Sequence, residues 1–443
     1  MNQNFKIFFW SLSAALGGFL FGFDTAVISG AEQHLQELWN SSAFEHGLTV
    51  SIALIGTVFG ALFGGIPVDK YGRRASLYLV GLLYLISSIG SAYAFDWSTF
   101  LIFRFLGGLG VGISSVVAPM YISEIAPPSK RGKLVALFQF NVVLGILISY
   151  ISNYFLQDIG ENAWRWMLGI EAIPAVLFLL TILGIPESPR WLILNKGEIE
   201  SAKAILSIID PSNVNQVLDD ILKSKLANQS SSSFTYLFRP IYKKPVKLAV
   251  LFALFNQLSG INAIIYYAPR VFEMAGLGKE SALLSSAGIG LVNLIFTLLG
   301  LTLIDKFGRK FLMKIGSFGL IASLGLVAYA FYSDSLGGIN VPFYLFIYIA
   351  FFAMSQGAVI WVFISEIFPN EIRAYGQSLG SFTHWIAAAI ISFIFPFIAQ
   401  TFGGGNTFLF FTSMMVLQLV FVLKMMPETK GTSLENANEK TNA

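Results

Sequence analysis

The 443-residue chain is predicted to be an all-α membrane protein, with twelve transmembrane helices in two pseudo-symmetric six-helix bundles. It is 55% hydrophobic and 12% charged, where a soluble domain carries about a quarter charged residues. Its apolar runs repeatedly exceed the 18 or so residues that a helix needs to cross a bilayer. Four short motifs of the first half also return about 240 positions later.

The apolar segments fall near 7–30, 47–68, 75–95, 98–122, 133–157, 164–185, 246–270, 281–304, 311–332, 341–368, 375–400 and 406–426. Each spans a hydrocarbon core of roughly 30 Å at about 1.5 Å per residue. Lys6 is the only early positive charge, and the first run continues into Asp24 without a small-residue cleavage site, so it reads as a retained helix. Of the 28 Lys and Arg residues, Arg165, Arg270 and Lys279 fall on one side and Arg104 within the membrane. The others share the opposite side, which the positive-inside rule makes cytoplasmic. Both termini and the central loop are then inside, and the loops near His34, Asp96 and Asp334 outside. The expected location is a cell membrane, the inner one in a Gram-negative source.

The net charge of +3 follows from this topology and implies no nucleic acid partner. With no cysteine, disulfides, thiol catalysis and zinc–thiolate sites are excluded. Neither metal nor cofactor is expected. Asn40-Ser41-Ser42 is an acceptor sequon on an outside loop.

The repeat is specific. Asp69-Lys70-Tyr71-Gly72-Arg73-Arg74 returns as Asp305-Lys306-Phe307-Gly308-Arg309-Lys310, and Ile122-Ser123-Glu124-Ile125 as Ile364-Ser365-Glu366-Ile367. Pro186-Glu187-Ser188 returns as Pro427-Glu428-Thr429, and Gly22-Phe23-Asp24 answers to Gly260-Ile261-Asn262. The expected organisation is a bundle over 1–185, a cytoplasmic linker over 186–245, a bundle over 246–426 and a cytoplasmic tail over 427–443. In the linker, 201–206 and 217–222 have helical spacing, and 228–233 looks like a flexible joint. The glycine clusters 107–112 and 56–65 are expected where helices pack closely. The first of them matches a dinucleotide fingerprint only superficially, because it lies inside an apolar helix.

Two charges stand alone. Asp24 lies inside the first apolar segment and Arg104 inside the fourth, and no other strong charge reads as so deep. Such a charge costs about 2.5–3.5 kcal/mol at the centre of a membrane helix. Counted along their helices, Asp24 is about 25 Å from the inner face and Arg104 about 9 Å from the outer end, depths compatible with pairing. The pair is either a static tie between two helices or a carboxylate that alternates between protonated and paired states. The second is what proton-coupled movement of a solute needs.

These motifs, together with Pro186-Glu187-Ser188-Pro189-Arg190-Trp191 and Pro427-Glu428-Thr429-Lys430-Gly431, resemble those of the sugar porters of the major facilitator superfamily. The branch holds bacterial xylose and galactose proton symporters and animal glucose facilitators. The resemblance runs from about Gly17 to Glu435 and implies the fold, alternating access and a monosaccharide substrate. It makes Asp24 the proton acceptor, since the matching position is an acid in proton symporters and typically an amide in uniporters, with Arg104 as its partner.

A pyranose offers a ring of hydroxyls and an apolar face, so its pocket needs amides and an aromatic plate. Gln257, Asn293 and Trp385 all reach about the midplane, some 15–18 Å from one face, where such transporters hold substrate. Gln257 and Asn262 lie about 140° apart on an ideal helix and face one cavity only if Ser259-Gly260-Ile261 is locally unwound. The alternative for these amides is helix-to-helix hydrogen bonding.

By resemblance, Gln139, Gln257, Asn262, Tyr267, Asn293, Trp361 and Trp385 match sugar-contacting positions, with Phe21 as an aromatic wall. Asn256 stands where many members have a first glutamine. Ile146 occupies a place that is glutamine in the xylose symporter and apolar in glucose facilitators. His384 replaces a usual amide and is expected either to contact sugar or to titrate and make binding pH-sensitive.

At the inner helix ends, Asp69, Arg73, Arg74, Glu124, Arg131, Glu187, Arg190, Asp305, Arg309, Glu366 and Arg373 occupy equivalent places in both halves. They are expected to form a cytoplasmic gate. The functional expectation is a monosaccharide:proton symporter, with a facilitative uniporter as the alternative and a non-transporting sensor third. An enzyme is not expected, because no nucleophile–base pair or metal cluster sits near the inferred cavity. The expected partners are a sugar, a proton and the lipid bilayer, and a monomer is expected to suffice.

Overall fold

The computed structural model describes residues 3–227, 234–369 and 372–430. In chain order it contains α1 (Gln3–Leu38), α2 (Ala43–Phe63), α3 (Arg73–Ala92), α4 (Trp97–Ile125), α5 (Arg131–Leu156) and α6 (Ala163–Leu183). Two linker helices follow, α7 (Ile199–Ile209) and α8 (Val214–Ala227). The second half holds α9 (Pro240–Tyr266), the short α10 (Ala268–Met274), α11 (Lys279–Phe307), α12 (Arg309–Tyr332), α13 (Asn340–Glu366) and α14 (Arg373–Lys424).

All but α7, α8 and α10 are long and apolar enough to cross a membrane, which gives 11 such helices among the described residues. The last, at 52 residues, would run about 78 Å if straight, more than twice a bilayer core. Gly403 interrupts it at φ 75°, ψ 167°. The two legs on either side are the eleventh and twelfth segments of the sequence.

One compact unit comprises Met1–Thr25, Ile55–Ile146 and Arg165–Ser231. There α3 packs on α4 and α6. Gly56 and Gly60 of α2 face Gly108 and Gly112 of α4 so closely that a methyl group on Gly56, Gly60 or Gly112 would meet backbone. This is the small-residue packing that brings membrane helices together. In the linker, α7 and α8 turn Ala202, Leu206 and Leu218 onto Trp191, Leu192 and Ile193. The joint at 228–233 and the tail beyond 430 lie outside the described residues.

The other unit comprises Ala26–Leu54, Leu147–Trp164 and Ser232–Ala443. Its core sets Phe252 edge-on to Phe363, with Phe421 and Leu248 around them. The apolar runs leave 31–46 as an outside loop, yet α1 runs to Leu38 and α2 starts at Ala43. The reason is local. Asn40 takes a left-handed φ of 46° just past α1, and Ser42 and Glu45 form a reciprocal capping box, with Ser42 N–H donating to Glu45 at 2.9 Å and Glu45 N–H donating to Ser42 Oγ at 3.3 Å.

Candidate functional site

In the first unit, α1 reaches the site through close contact with α5. A side chain at Gly22 would collide with the main chain at Val142, and one at Gly145 with Phe19. Two residues past Gly22, Asp24 accepts a hydrogen bond from Arg104 Nη1 on α4, with Nη1 and Oδ1 2.5 Å apart, and Nη2 donates to the main-chain carbonyl of Asp24 at 3.2 Å. Both side chains are 2% exposed. A methyl group at Gly107, one turn beyond Arg104, would stand 2.4 Å from the Ser87 hydroxyl and 3.4 Å from Asp24 Oδ1.

The expectation of only two deep charges does not hold. Glu171 is 1% exposed, and its carboxyl lies near enough to Asp24 and Arg104 to interact electrostatically with both. Two carboxyl groups this close disfavour carrying two negative charges at once, so a proton on one of them relieves their repulsion. Glu171 sits where α6 breaks between Gly169 and Ala172. Pro174 lacks the N–H that would bond the carbonyl of Ile170, so the helix opens there. A lone acid within an apolar segment, three residues before a proline, was the available signal.

Phe21 and Gln139 lie in the same unit and are both half-buried. The ring of Phe21 lies 6.5 Å from that of Phe138, the neighbour of Gln139.

In the second unit, α9 breaks after Leu258. Gly260 takes φ 84°, ψ 10°, and a new helical turn starts at Ile261. The hydroxyl of Tyr348 donates to the carbonyl of Ser259 at 3.0 Å and anchors the break. As a result Gln257 and Asn262 meet, with Asn262 Nδ2 donating to Gln257 Oε1 at 2.8 Å. Gln257 Nε2 in turn donates to Asn256 Oδ1 at 3.0 Å and lies 3.1 Å from His384 Nε2 on α14. An amide NH₂ only donates, so the imidazole nitrogen facing it is an acceptor and carries no proton.

Around His384 stand two indoles. Trp361 of α13 is 4.9 Å away at 56°, and Trp385 is 4.9 Å away edge-on. Trp361 stays 38% exposed while Gln257 is 1% exposed. One donor in this group is unspent, since Asn256 Nδ2 is buried without a hydrogen-bond partner among the described residues. Asn293 of α11 accepts from Thr297 one turn on. Tyr267 is fully buried, its hydroxyl donating to the carbonyl of Ser392 at 2.9 Å. It lies beside a second cluster, His46–Glu32–Arg270, of which Glu32 and His46 fall between the first two apolar segments and Arg270 at the end of the seventh.

The inner-end charges form the same cluster once in each unit. In the first, Arg73 makes a two-pronged bond to Glu124 at 2.9 and 3.0 Å, and Glu187 accepts from the backbone N–H groups of Arg73 and Arg74 at the start of α3. In the second, Arg309 holds Glu366 at 3.0 and 2.8 Å, and Glu428 accepts from the N–H groups of Arg309 and Lys310 at the start of α12. Asp69 and Asp305 flank the arginines at 3.7 and 3.2 Å. Gly72 and Gly308, at φ 98° and 89°, turn the chain into these helices, and a side chain at either would strike the capping glutamate.

Glu124 and Glu366 thus bind Arg73 and Arg309. Arg373 instead donates to the carbonyl of Phe368 at 3.3 and 3.2 Å, and Arg74 to the last carbonyls of α6. Arg190 is the middle residue of a single helical turn, Pro189–Trp191.

The two glutamates differ electrostatically. Burial pushes Glu187 above the usual carboxylate range despite its backbone N–H donors. For Glu428 burial pulls the same way, but N–H groups of Lys430, Arg309, Lys310 and Thr429 outweigh it and hold the carboxyl below that range.

Comparison with known proteins places the chain in a family. The chain is 39% identical over 431 residues to an arabinose-proton symporter of Bacillus subtilis, covering 96% of this chain and 93% of the relative. It is 37% identical over 468 residues to a D-xylose-proton symporter of Escherichia coli, covering 97% and 94%. Among solved structures it is similar to the E. coli xylose transporter XylE in a partially occluded inward-open conformation, with a TM-score of 0.86 at 36% identity over 97% of this chain and 99% of that one. It is also similar to the major facilitator superfamily proton:xylose symporter XylE bound to 6-bromo-6-deoxy-D-glucose, with a TM-score of 0.82 at 36% identity over 99% of both chains. The fold is therefore the major facilitator fold, and the protein is a transporter rather than an enzyme. A family model described as "Sugar (and other) transporter" matches residues 10–440, and the chain belongs to that family.

Proposed function

We propose that this protein is a monosaccharide:proton symporter working by alternating access in a cell membrane, with both termini cytoplasmic. The observation that carries the coupling is the buried Asp24–Arg104 pair with Glu171 beside it. A carboxylate that leaves its guanidinium in a site without water is left as an uncompensated charge. Release from Arg104 is therefore tied to proton uptake, and Glu171 is the neighbour able to share that proton. Asp24 is the proton acceptor and Arg104 the group that competes with the proton.

The sugar is read by Gln257, Asn262, Asn256 and His384, with Trp361 and Trp385 as plates for its apolar face. The unspent Asn256 N–H supports this reading, because a buried donor without a partner favours a ligand hydroxyl. Gln139, Phe21, Tyr267 and Asn293 complete the proposed contact set. The paired inner-end clusters of Arg73, Arg309 and their acidic partners set the balance between access states.

Counterflow in proteoliposomes against glucose, galactose, xylose, arabinose and fructose tests substrate class, and sugar-evoked proton entry tests coupling. Asp24→Asn is expected to lose gradient-driven uptake and to keep exchange. Uptake indifferent to a pH gradient, with no proton entry, would leave facilitative uniport as the function.

A further inference from the structure

The second unit holds a buried ionisable cluster that the coupling pair does not use. Glu32 of α1 is 0% exposed. It accepts from Nε and Nη2 of Arg270 on α10 at 2.9 and 2.7 Å, and Arg270 Nη2 also donates to Gln36 at 2.6 Å. His46 of α2, equally buried, sets Nε2 2.6 Å from Glu32 and 3.4 Å from Arg270. Its Nδ1 is buried without a hydrogen-bond partner among the described residues.

The other groups that bear on His46 are few. The ring of Tyr267 lies 6.1 Å away, Glu273 of α10 acts on Glu32 and Arg270, and Glu45, beside His46 on α2, is bound to Ser42.

Charge counting distinguishes two states of this cluster. With a neutral imidazole whose Nε2–H donates to Glu32, one carboxylate balances one guanidinium. A second proton on the ring adds a net positive charge next to Arg270 and places an N–H on Nδ1 with nothing to accept it. Both are unfavourable in a buried site. The cluster also ties down a movable piece, because α10 is only seven residues long and is joined to α9 through non-helical Tyr267, at φ −121°, ψ 24°. The cluster borders an open cavity through Arg270. Arg270 and Gln36 line an open polar cavity of about 440 Å³ together with Gln33, Glu37, Asn40 and Glu273.

Building on the orientation and transport reading above, we propose that His46, held between Glu32 and Arg270, is a second proton site. Its loading from the outer medium frees α10 from α1 and α2 and opens the outer side. A proton-rich exterior would then favour the state that receives sugar, separately from the proton taken up at Asp24.

The chain has no cysteine, so one introduced thiol reports cleanly. Thr49, buried one turn beyond His46 on α2, is replaced by cysteine and labelled with a membrane-impermeant maleimide from outside, without sugar and without a gradient. Labelling is expected to accelerate several-fold as external pH falls from about 7.5 to about 5.5. Thiol chemistry alone would slow it. Adding His46→Gln, which keeps a donor for Glu32 but does not titrate, is expected to abolish the pH dependence. Adding Glu32→Gln instead is expected to give fast labelling at both pH values.

A flat profile in the Thr49→Cys protein, an unchanged profile with His46→Gln, or slow labelling with Glu32→Gln overturns the proposal. Labelling only from the inner face overturns it through the orientation. Failure of symport itself would appear separately, as absent sugar-evoked proton entry.

Discussion

Arg104 holds Asp24 twice, once through the carboxylate at 2.5 Å and once through the main-chain carbonyl at 3.2 Å. The second bond does not depend on the protonation of Asp24. On the proposed coupling, the guanidinium stays against α1 when the carboxylate takes a proton, ready to recapture it. The double hold ties the positions of α1 and α4 together through both states of the acid.

Removal of Arg104 is expected to cost about 3–5 kcal/mol, because it leaves a buried carboxylate without its cation. Thermal unfolding of Arg104→Ala in detergent measures this. Adding Asp24→Asn should restore a large part of the loss, since the stranded charge is then gone. A double-mutant cycle in which the two changes simply add would show that the pair is not coupled.

Glu171 is expected to matter for protons and not for sugar. Glu171→Gln keeps the shape and a hydrogen-bonding group but cannot share a proton with Asp24. Sugar-evoked proton entry should fall by about tenfold or more, equivalent to roughly 1.4 kcal/mol, while counterflow at equal pH stays near wild type. Equal losses in both assays would make Glu171 a packing residue.

The twelve-segment plan was legible because spanning a bilayer demands long apolar runs, and the repeat was legible because Arg73 and Arg309 need the same acidic partners at the same helix ends. Two kinds of feature were not. Glu171 escaped because the depth of a charge was judged from the ends of its segment, and the break at Pro174 alters how the segment runs. The Glu32–His46–Arg270 cluster escaped because hydropathy falls where buried charges pair, so a well-satisfied ionic cluster at a helix end looks like a loop. The Ser42–Glu45 capping box was the local signal that the helices continue past the apolar run.

Gly260 is expected to be intolerant of any side chain. Its φ of 84° costs an alanine about 1–2 kcal/mol, and an added Cβ would stand 2.7 Å from the ring of Phe411. Because the turn here brings Asn262 onto Gln257, Gly260→Ala should weaken sugar binding, read by tryptophan fluorescence, by about tenfold or more. Gly65→Ala is the control, since a side chain there meets nothing within 4 Å. Equal affinities in the two variants would separate the turn from the site.

The equivalent glutamates Glu187 and Glu428 are expected to give opposite pH signatures. The folded value of Glu428 is held below its ordinary 4.5, so its contribution to stability is present above that value and is lost as pH falls through the folded one. The stability deficit of Glu428→Gln should therefore be full at neutral pH and shrink below about pH 4.5. The folded value of Glu187 is raised above 4.5, so its contribution is complete below 4.5 and is lost as pH rises through the folded value. The advantage of wild type over Glu187→Gln should be largest in acid and smaller at neutral pH. Thermal unfolding of both variants across about pH 3.5 to 7.5 reads the two slopes. Parallel slopes would mean that the extra backbone donors around Glu428 do not distinguish it from Glu187.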